Sequence, residues 1–152
     1  MAACPSLGGV RVLLFLPAFL LAPVSVFAEQ PGGDSERAHF ARCEGSGRVT
    51  CVVDGDTIWY RGDKIRLADI NTPETSRPSC PREAELGARA TQRLIGLLNS
   101  GGFTLKREGR DMDRYGRLLR VVTRDGHSLG DVLVAEGLAE RWQGRRSGWC
   151  AA

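Results

Sequence analysis

Residues 48–70 read RVTCVVDGDTIWYRGDKIRLADI, and this stretch decides the fold. It contains three runs rich in β-branched and aromatic residues, separated by the turn signals Asp54-Gly55 and Arg61-Gly62-Asp63. We predict strands over residues 48–53, 57–60 and 64–70. Because both turns are short, the strands form an antiparallel meander.

A change of hydrophobic period follows the meander. Between residues 81 and 98 the apolar side chains recur at helical spacing, with Pro81 near the first turn and NSGG at residues 99–102 as a stop signal. This pattern indicates one long helix. Its predicted buried face comprises Ala84, Gly87, Ala88, Thr91, Leu94, Ile95 and Leu98.

Strands and a short helix complete the chain. We predict strands over residues 103–107 and 115–123, and Ser128 with Asp131 resembles a capping box for a helix that stops at Gly137. This order of elements, mainly β with helices (α+β), predicts a five-stranded OB-fold barrel capped by one long and one short helix. Barrels of this type often bind nucleic acids or sugars.

The first 28 residues have the features of a secretory signal peptide. Arg11 precedes an apolar run over residues 12–27, and Ala28 provides a small residue before the cut. Retention of the run as a membrane anchor is the alternative, but Pro17 and Pro23 interrupt it, and a span needs roughly 20 apolar residues. We therefore expect an exported protein, periplasmic or secreted, with no stable membrane association after cleavage.

Composition limits the size and charge of the mature chain. Without residues 1–28 we expect a flexible lead-in (29–47), one OB domain (48–142) and a C-terminal tail (143–152), acting as a monomer. The whole chain has 21 Lys+Arg against 18 Asp+Glu, and loss of Arg11 lowers the net charge from +3 to +2. This weak charge permits a polyanionic substrate without requiring one.

The cysteines predict disulfides. Cys4 leaves with the signal peptide, and an even number of cysteines in an exported small domain favours two bridges. Three connectivities are possible, of which we favour Cys43–Cys51 and Cys80–Cys150. The absence of C-x-x-C spacing argues against a zinc site or a redox motif.

Four short segments interleave carboxylates with arginines. They are Asp54-Gly55-Asp56-Thr57, Ile65-Arg66-Leu67, Asn71-Thr72-Pro73-Glu74 and Asp113-Arg114-Tyr115-Gly116-Arg117. Taken singly, each is typical of an ordinary turn, strand or solvated loop. Together they can form a metal-assisted phosphodiesterase site, because phosphodiester hydrolysis needs positive charge near the phosphoryl oxygens and an activated water.

The chemistry of these side chains suggests their roles. Asp56 and an oxygen ligand about 15 residues further on can hold a hard cation such as Ca²⁺. Arg66 and Arg117 can clamp the phosphate, and Glu74 can take a proton from water.

The order of these segments resembles the staphylococcal nuclease (thermonuclease) family over residues 48–141. The resemblance implies an OB-fold, calcium-dependent and sugar-nonspecific nuclease that cuts DNA and RNA on the 5′-oxygen side and leaves 3′-phosphates. It also implies that Asp56 binds calcium through its carboxylate and Thr72 through its backbone carbonyl, with Asp54 behind them.

The same resemblance assigns the phosphate side of the site. Glu74 would be the general base, and Arg66 and Arg117 would stabilise the phosphate. Arg114 and Tyr115 would contact the terminal phosphate of the nucleotide.

One departure from the family pattern concerns the metal. Asn71 stands where the family usually has a second aspartate ligand, and an amide oxygen can coordinate calcium but brings no charge. We therefore expect a weaker metal site, and we hypothesise that Asp69, two residues earlier on the same side of an extended strand, supplies part of the missing field. The alternative is that Asp69 is a solvated acid at the end of the strand.

Two functions from other classes stay open at this point. Asn71 favours a noncatalytic OB module that binds nucleic acid or protein, although such a binder has no evident need for Asp56, Arg66, Glu74 and Arg117 together. The third possibility is a disulfide-bonded interaction domain without a nucleic-acid role.

Overall fold

The computed structural model describes residues 33–146 and 148–150, so the predicted signal peptide lies outside the described residues. The helices are α1 (Pro81–Asn99) and α2 (Leu129–Ala135), one long and one short as predicted. No helix in the described part of the chain is long and apolar enough to cross a membrane. The strands are β1 (Cys51–Asp54), β2 (Thr57–Tyr60), β3 (Asp63–Leu67), β4 (Ile70–Asn71), β5 (Thr104–Lys106), β6 (Leu118–Arg124), β7 (His127–Ser128) and β8 (Glu140–Arg141).

The main sheet has the strand order β1-β2-β3-β6-β5. The first three strands form the predicted antiparallel meander, with Ile58 opposite Ile65. β3 then pairs in parallel with β6, and β6 pairs antiparallel with β5. A parallel pair needs a long crossover, which α1 and β5 supply. The mixed α+β fold with its OB-type strand order confirms the predicted architecture.

The segment before Arg48 differs from the predicted lead-in. Its backbone bonds to both edges of the sheet, since Glu36 exchanges two hydrogen bonds with Phe103 and Val52 donates to Ala41. Phe40 is 1% exposed and packs against Phe103 and Tyr60 with ring centroids 5.9 Å away from each. Ordered structure therefore begins well before Arg48, because this segment fills the gap between β1 and β5.

Helix α1 covers the barrel with one face. Its buried residues include Gly87, Thr91, Leu94 and Leu98, as predicted. The stripe is rotated slightly from the expected one, because Ala90 is fully buried and Ala88 is exposed. The C-terminal end of the helix holds the N-terminal segment, since the Asn99 amide bonds to the backbone N and O of Phe40.

The predicted third strand is two strands in the structure. β3 ends at Leu67, the chain bends, and β4 leaves the main sheet to pair with β8, which places Asn71 opposite Glu140. The Arg66 guanidinium stabilises the bend, because its Nη1 donates hydrogen bonds to the backbone carbonyls of Leu67 and Ile70. The strand predicted to begin at residue 115 begins instead at Leu118, after the turn at Gly116.

The two favoured disulfides are present. Cys43–Cys51 ties the N-terminal segment to β1 with a Cα–Cα distance of 4.9 Å. Cys80–Cys150 ties the C-terminal end to the residue that precedes α1, with a Cα–Cα distance of 5.9 Å. Ser128 caps α2 as predicted, because its hydroxyl accepts a hydrogen bond from the Gly130 N–H.

Candidate active site

The hairpin turn between β1 and β2 brings two carboxylates together. The register of the strands shifts between Val52 and Asp54, and the Asp56 N–H donates to Asp54 Oδ1 over 3.2 Å. The Thr57 hydroxyl donates to Asp56 Oδ1 over 2.9 Å. A Cβ added at Gly55 would lie 2.7 Å from the Ala90 Cβ and 2.9 Å from Thr72 Cγ2. Glycine therefore lets this turn contact both α1 and the loop after β4.

Arg66 joins this turn to the floor of an adjacent cleft. Its Nη2 lies 3.2 Å from Asp56 Oδ2, and both side chains are almost fully buried. The Trp142 ring covers the guanidinium at 4.9 Å. A guanidinium has five N–H donors, and the contacts to Asp56, Leu67 and Ile70 use three of them. The remaining two N–H groups can donate hydrogen bonds to a phosphate.

Burial disfavours the charged forms of the neighbouring carboxylates Asp54 and Asp56. Desolvation, followed by repulsion from Asp56, raises the pKa of Asp54 to about 7. Among the described residues, Arg66 forms an ion pair with Asp56 but none with Asp54. A divalent cation would relieve this repulsion, and the surrounding donors are oxygens.

The loop after β4 carries the next group of predicted residues. The Thr72 N–H points at Asp56 Oδ2 over 3.4 Å, so Thr72 lies beside the carboxylate pair. Asn71 is buried, and its amide nitrogen donates to Glu140 Oε1 over 3.1 Å. Because a carboxylate only accepts, this bond fixes which way the Asn71 amide faces.

Two residues on α1 hold Glu74 in place. The buried Glu83 carboxylate accepts the backbone N–H groups of Ser79 over 2.6 Å and Glu74 over 3.3 Å. The hydrogen bond from the Ser79 backbone is the largest cause of a lowered pKa for Glu83. A Cβ on Gly87 would lie 2.9 Å from the Pro73 carbonyl oxygen, so the helix and this loop touch backbone to backbone. The Glu74 carboxylate itself pairs with Arg146.

The loop before β6 is organised by Asp113. Its carboxylate accepts the backbone N–H groups of Tyr115 and Arg117 and lies 2.7 Å from Arg117 Nε. Burial raises the pKa of Asp113, but the bonds from Arg117 and Tyr115 outweigh it and lower the pKa overall. The Tyr115 ring is 67% exposed, and the Arg114 and Arg117 guanidiniums lie 4.8 and 5.6 Å from its centroid.

These side chains border one cleft of about 790 Å³. Arg66 lies in it together with Arg114, Tyr115 and Arg117, while Trp142 and Arg146 belong to another part of its wall. Glu74 is not part of the cleft lining, but it contacts the cleft through its ion pair with Arg146. The structure thus brings the arginines together in one cleft, which is linked to Glu74 through Arg146 and to Asp56 through Arg66.

Asp69 does not join this group. Its Oδ2 accepts the Ser128 hydroxyl over 2.5 Å and lies against Gly130 at the start of α2. Burial raises its pKa, and Asp131 and Arg141 are its charged neighbours. These contacts give no support to the hypothesis that Asp69 supplies the charge that Asn71 lacks.

The sequence predicts no role for Glu83 or Glu140, which support the site. Glu83 carries a weak signal, since an acid in the first turn of a helix is common. Glu140 depends on its pairing with Asn71, 69 positions away, which a local pattern does not reveal. Trp142 and Arg146 belong to a basic aromatic tail of the kind that can hold single-stranded nucleic acid by charge and stacking, but their contacts with Arg66 and Glu74 are equally non-local. Within the described residues, no group of three or more His, Cys, Asp or Glu side chains is arranged to hold a metal. A cation here would therefore rest on the Asp56 carboxylate with amide and backbone oxygens, a donor set that suits a hard cation.

Parts of several known proteins are similar to this chain in sequence. The chain is 45% identical over 94 residues to the SPbeta prophage-derived endonuclease YokF of Bacillus subtilis (strain 168), covering 58% of this chain and 31% of that protein. It is 43% identical over 94 residues to endonuclease YncB of the same organism, covering 58% and 44% of the two chains. It is 32% identical over 96 residues to the thermonuclease of Staphylococcus hyicus, covering 60% and 56%.

The match thus spans between 31% and 56% of the length of these three relatives. A family model described as staphylococcal nuclease homologue matches residues 64–148, more than half of the chain. This chain is therefore a member of the staphylococcal nuclease family.

Proposed function

We propose that the protein is an exported, calcium-dependent nuclease that hydrolyses DNA and RNA on the 5′-oxygen side and leaves 3′-phosphates. The observation that carries the proposal is the single cleft shared by Arg66, Arg114, Tyr115 and Arg117, with the buried Asp56–Arg66 pair at its floor. The relatives named endonuclease and thermonuclease support nuclease activity. The two disulfides support export, because such bridges persist in oxidising compartments.

The calcium ion would be held by Asp56, Asn71 and the Thr72 carbonyl. Asp54 would not touch the ion but would lie next to these ligands. When bound, the ion would supply positive charge near the phosphoryl oxygens and help to activate a water. Asp56 already has a fixed orientation, because Thr57, Thr72 and Arg66 contact its oxygens.

The chain's own residues have separate roles in the proposed reaction. Arg66 and Arg117 meet the charge that develops on the phosphoryl oxygens. Arg117 is held for this task by its pair with Asp113, and Arg66 by the bend after β3. Glu74 takes the proton from the attacking water. Arg114 and Tyr115 hold the terminal phosphate of the nucleotide at the exposed rim.

The test is hydrolysis of denatured DNA by the oxidised mature domain, with calcium titrated from micromolar to about 10 mM. We expect calcium-dependent cleavage that falls by about 10²–10⁴-fold in Glu74→Gln, the usual contribution of a general base. Glu85→Gln, an identical change at an exposed position of α1, is the matched control and should cleave like the parent. Near-parental turnover in Glu74→Gln would reject the role of Glu74.

A noncatalytic nucleic-acid-binding module is the second candidate, and Asn71 favours it. The described residues provide two neighbouring carboxylates at the site and an amide that is already bonded to Glu140. If the parent binds single-stranded DNA but cleaves at no calcium concentration, while Asn71→Asp cleaves, the binding function replaces the proposed one.

A further inference from the structure

The C-terminal strap, which comprises the described residues 142–146 and 148–150, contributes one wall of the cleft. Trp142, Gly144, Arg145 and Arg146 line the cleft on this side. The loop that carries Arg114 and Arg117 lines it too, so arginines from two distant parts of the chain face one space.

The charge of this cleft is far from balanced. Its lining contains six arginines but only the acids Glu108 and Asp113. Among the described residues, neither Arg110 nor Arg145 has an acidic side chain within ion-pair distance. The net charge of the whole chain is only +3, so the positive charge is concentrated at this site. A polyanion is the ligand that such a cleft attracts.

Three contacts anchor the strap. At its start, the Trp142 N–H donates to the Asp69 carbonyl over 2.9 Å and the ring stacks on Arg66. In the middle, Arg146 pairs with Glu74. At its end, Cys150 is bonded to Cys80, next to the start of α1.

Between these anchors the strap has little else to hold it. Residues 143–146 are exposed, and residues 143–146 and 148–150 form no backbone-to-backbone hydrogen bond with another described residue. Without the bridge, the arginines would have to be ordered by one ion pair. Ordering a residue costs roughly 1–2 kcal/mol of backbone entropy, and an exposed ion pair contributes at most about 1 kcal/mol. The disulfide is therefore the main restraint on the position of Arg145 and Arg146.

We propose that Arg145 and Arg146 form a second phosphate-binding subsite for single-stranded nucleic acid, which the Cys80–Cys150 disulfide holds beside Glu74. The inference rests on the proposed nuclease function. A guanidinium is a planar fork of donors, so Arg146 can keep one N–H on Glu74 and turn the others toward a phosphate. Arg145 has no ion pair with a described acidic residue, so it can bind a phosphate without breaking one. The C-terminal strap thus binds the single-stranded nucleic acid at a phosphate next to the one that Arg66 and Arg117 hold.

The experiment measures binding of a fluorescent single-stranded oligodeoxynucleotide in the presence of a calcium chelator, so that no cleavage is required. We expect Arg145→Gln and Arg146→Gln each to raise Kd about fivefold at 0.1 M salt and to lower the slope of log Kd against log salt by about 0.7. Arg61→Gln is the matched control, because Arg61 is exposed on a turn outside the cleft lining. It should change Kd by less than about twofold.

The disulfide is tested by a pair of variants. Cys80→Ser/Cys150→Ser should raise Kd by an amount similar to the double arginine variant, whereas Cys43→Ser/Cys51→Ser should bind like the parent. Circular dichroism and a melting curve identify variants that have not folded. If the Cys80 variant does not fold, the double arginine variant with the bridge intact decides whether Arg145 and Arg146 form the subsite.

Two results would overturn the inference. One is parental affinity in the double arginine variant, and the other is an equal loss in Arg61→Gln, which would mean that general charge and not this subsite is responsible. Parental affinity in a folded Cys80→Ser/Cys150→Ser variant would refute the role of the bridge. Failure of the proposed function looks different, because the parent would then show no calcium-dependent cleavage whatever its variants bind.

Discussion

The N-terminal segment (residues 33–47) and the C-terminal strap are both fastened by a disulfide, but they contact different parts of the molecule. The N-terminal segment places Phe40 in the core and bonds to β1 and to the start of β5. The strap contributes exposed arginines to the cleft and reaches Glu74. A disulfide therefore does not by itself tell whether the segment that it holds stabilises the fold or serves the site.

The difference lies in what each segment buries. The N-terminal segment exchanges backbone hydrogen bonds and packs an aromatic ring between two others. The strap keeps its charged groups in contact with solvent. Changes in the first should mainly alter the free energy of unfolding, and changes in the second should mainly alter binding and catalysis.

The largest expected stability effect comes from Phe40→Ala. Removal of a fully buried aromatic ring costs about 3–5 kcal/mol, and a melting curve in chemical denaturant measures it. Trp142→Ala is the contrasting variant, because Trp142 is 39% exposed, and it should lose less than about 1.5 kcal/mol. Equal losses in the two variants would contradict the division between the segments.

The disulfides should differ in function more than in stability. Chain entropy gives about 2.5 kcal/mol for the 8-residue separation of Cys43 and Cys51 and about 4.4 kcal/mol for the 70-residue separation of Cys80 and Cys150. Once its bridge is removed, however, the strap gains freedom in the native state too. In the unfolded chain the bridge closes a loop of 70 residues, whereas in the native state it closes only the strap from Trp142 to Cys150, about 8 residues. The difference between these two loop-closure costs is the net stabilisation by the bridge, roughly 2 kcal/mol.

We therefore expect both double serine variants to lose about 2 to 2.5 kcal/mol, which lowers the melting temperature by roughly 10 °C. Calorimetry of the two oxidised variants and the parent measures this. A loss near roughly 4 kcal/mol in Cys80→Ser/Cys150→Ser alone would show that the strap stays docked without its bridge.

Much of the fold was predictable because its signals are local. The Asp54-Gly55 turn, the change of period at Pro81 and the Ser128 cap each lie within a few residues of the element that they define. The predicted site residues Asp56, Arg66 and Thr72 also lie on the meander and on the loop that follows it. Their mutual contacts therefore follow once the meander forms.

The parts that could not be predicted depend on long-range pairing. Phe40 stands in a glycine-containing stretch without periodicity, and its burial becomes visible only when β1 and β5 leave a gap between them. Glu140 meets Asn71 because β8 returns to β4, a contact between residues 69 positions apart. Arg146 and Glu74 are 72 positions apart. No local pattern indicates such contacts.

Glu83 tests how firmly α1 holds the loop that carries Glu74. Its pKa is lowered in the fold, so its contribution to stability is fully present above its ordinary value of 4.5 and is lost as the pH falls through the lower folded value. Glu83→Gln removes the charged acceptor and should cost about 2 kcal/mol at pH 7. Melting curves of parent and variant from pH 3 to pH 7 should converge at the acidic end. A difference that does not depend on pH would contradict the role of the charge.

The smallest effect concerns the metal and the strand pair β4–β8. Asn71→Asp would add a charge to the proposed calcium site, but it would also replace the donor that Glu140 now accepts with a second carboxylate. A bound cation would relieve the resulting repulsion, which adds to the gain in calcium affinity. In the background of Glu140→Gln, the new amide can donate to the carboxylate introduced at position 71, so there is no such repulsion to relieve.

We therefore expect Asn71→Asp to improve calcium affinity by about tenfold less in the Glu140→Gln background than in the parent, a coupling of about 1.4 kcal/mol. Calorimetric titration of calcium without nucleic acid measures all four members of this cycle. Gln143→Glu, a change of charge on the neighbouring strap, is the control for a general electrostatic effect. Independent effects of the two substitutions would show that Glu140 merely lies next to Asn71, whereas the expected coupling would show that the bound cation relieves repulsion between the carboxylates at positions 71 and 140.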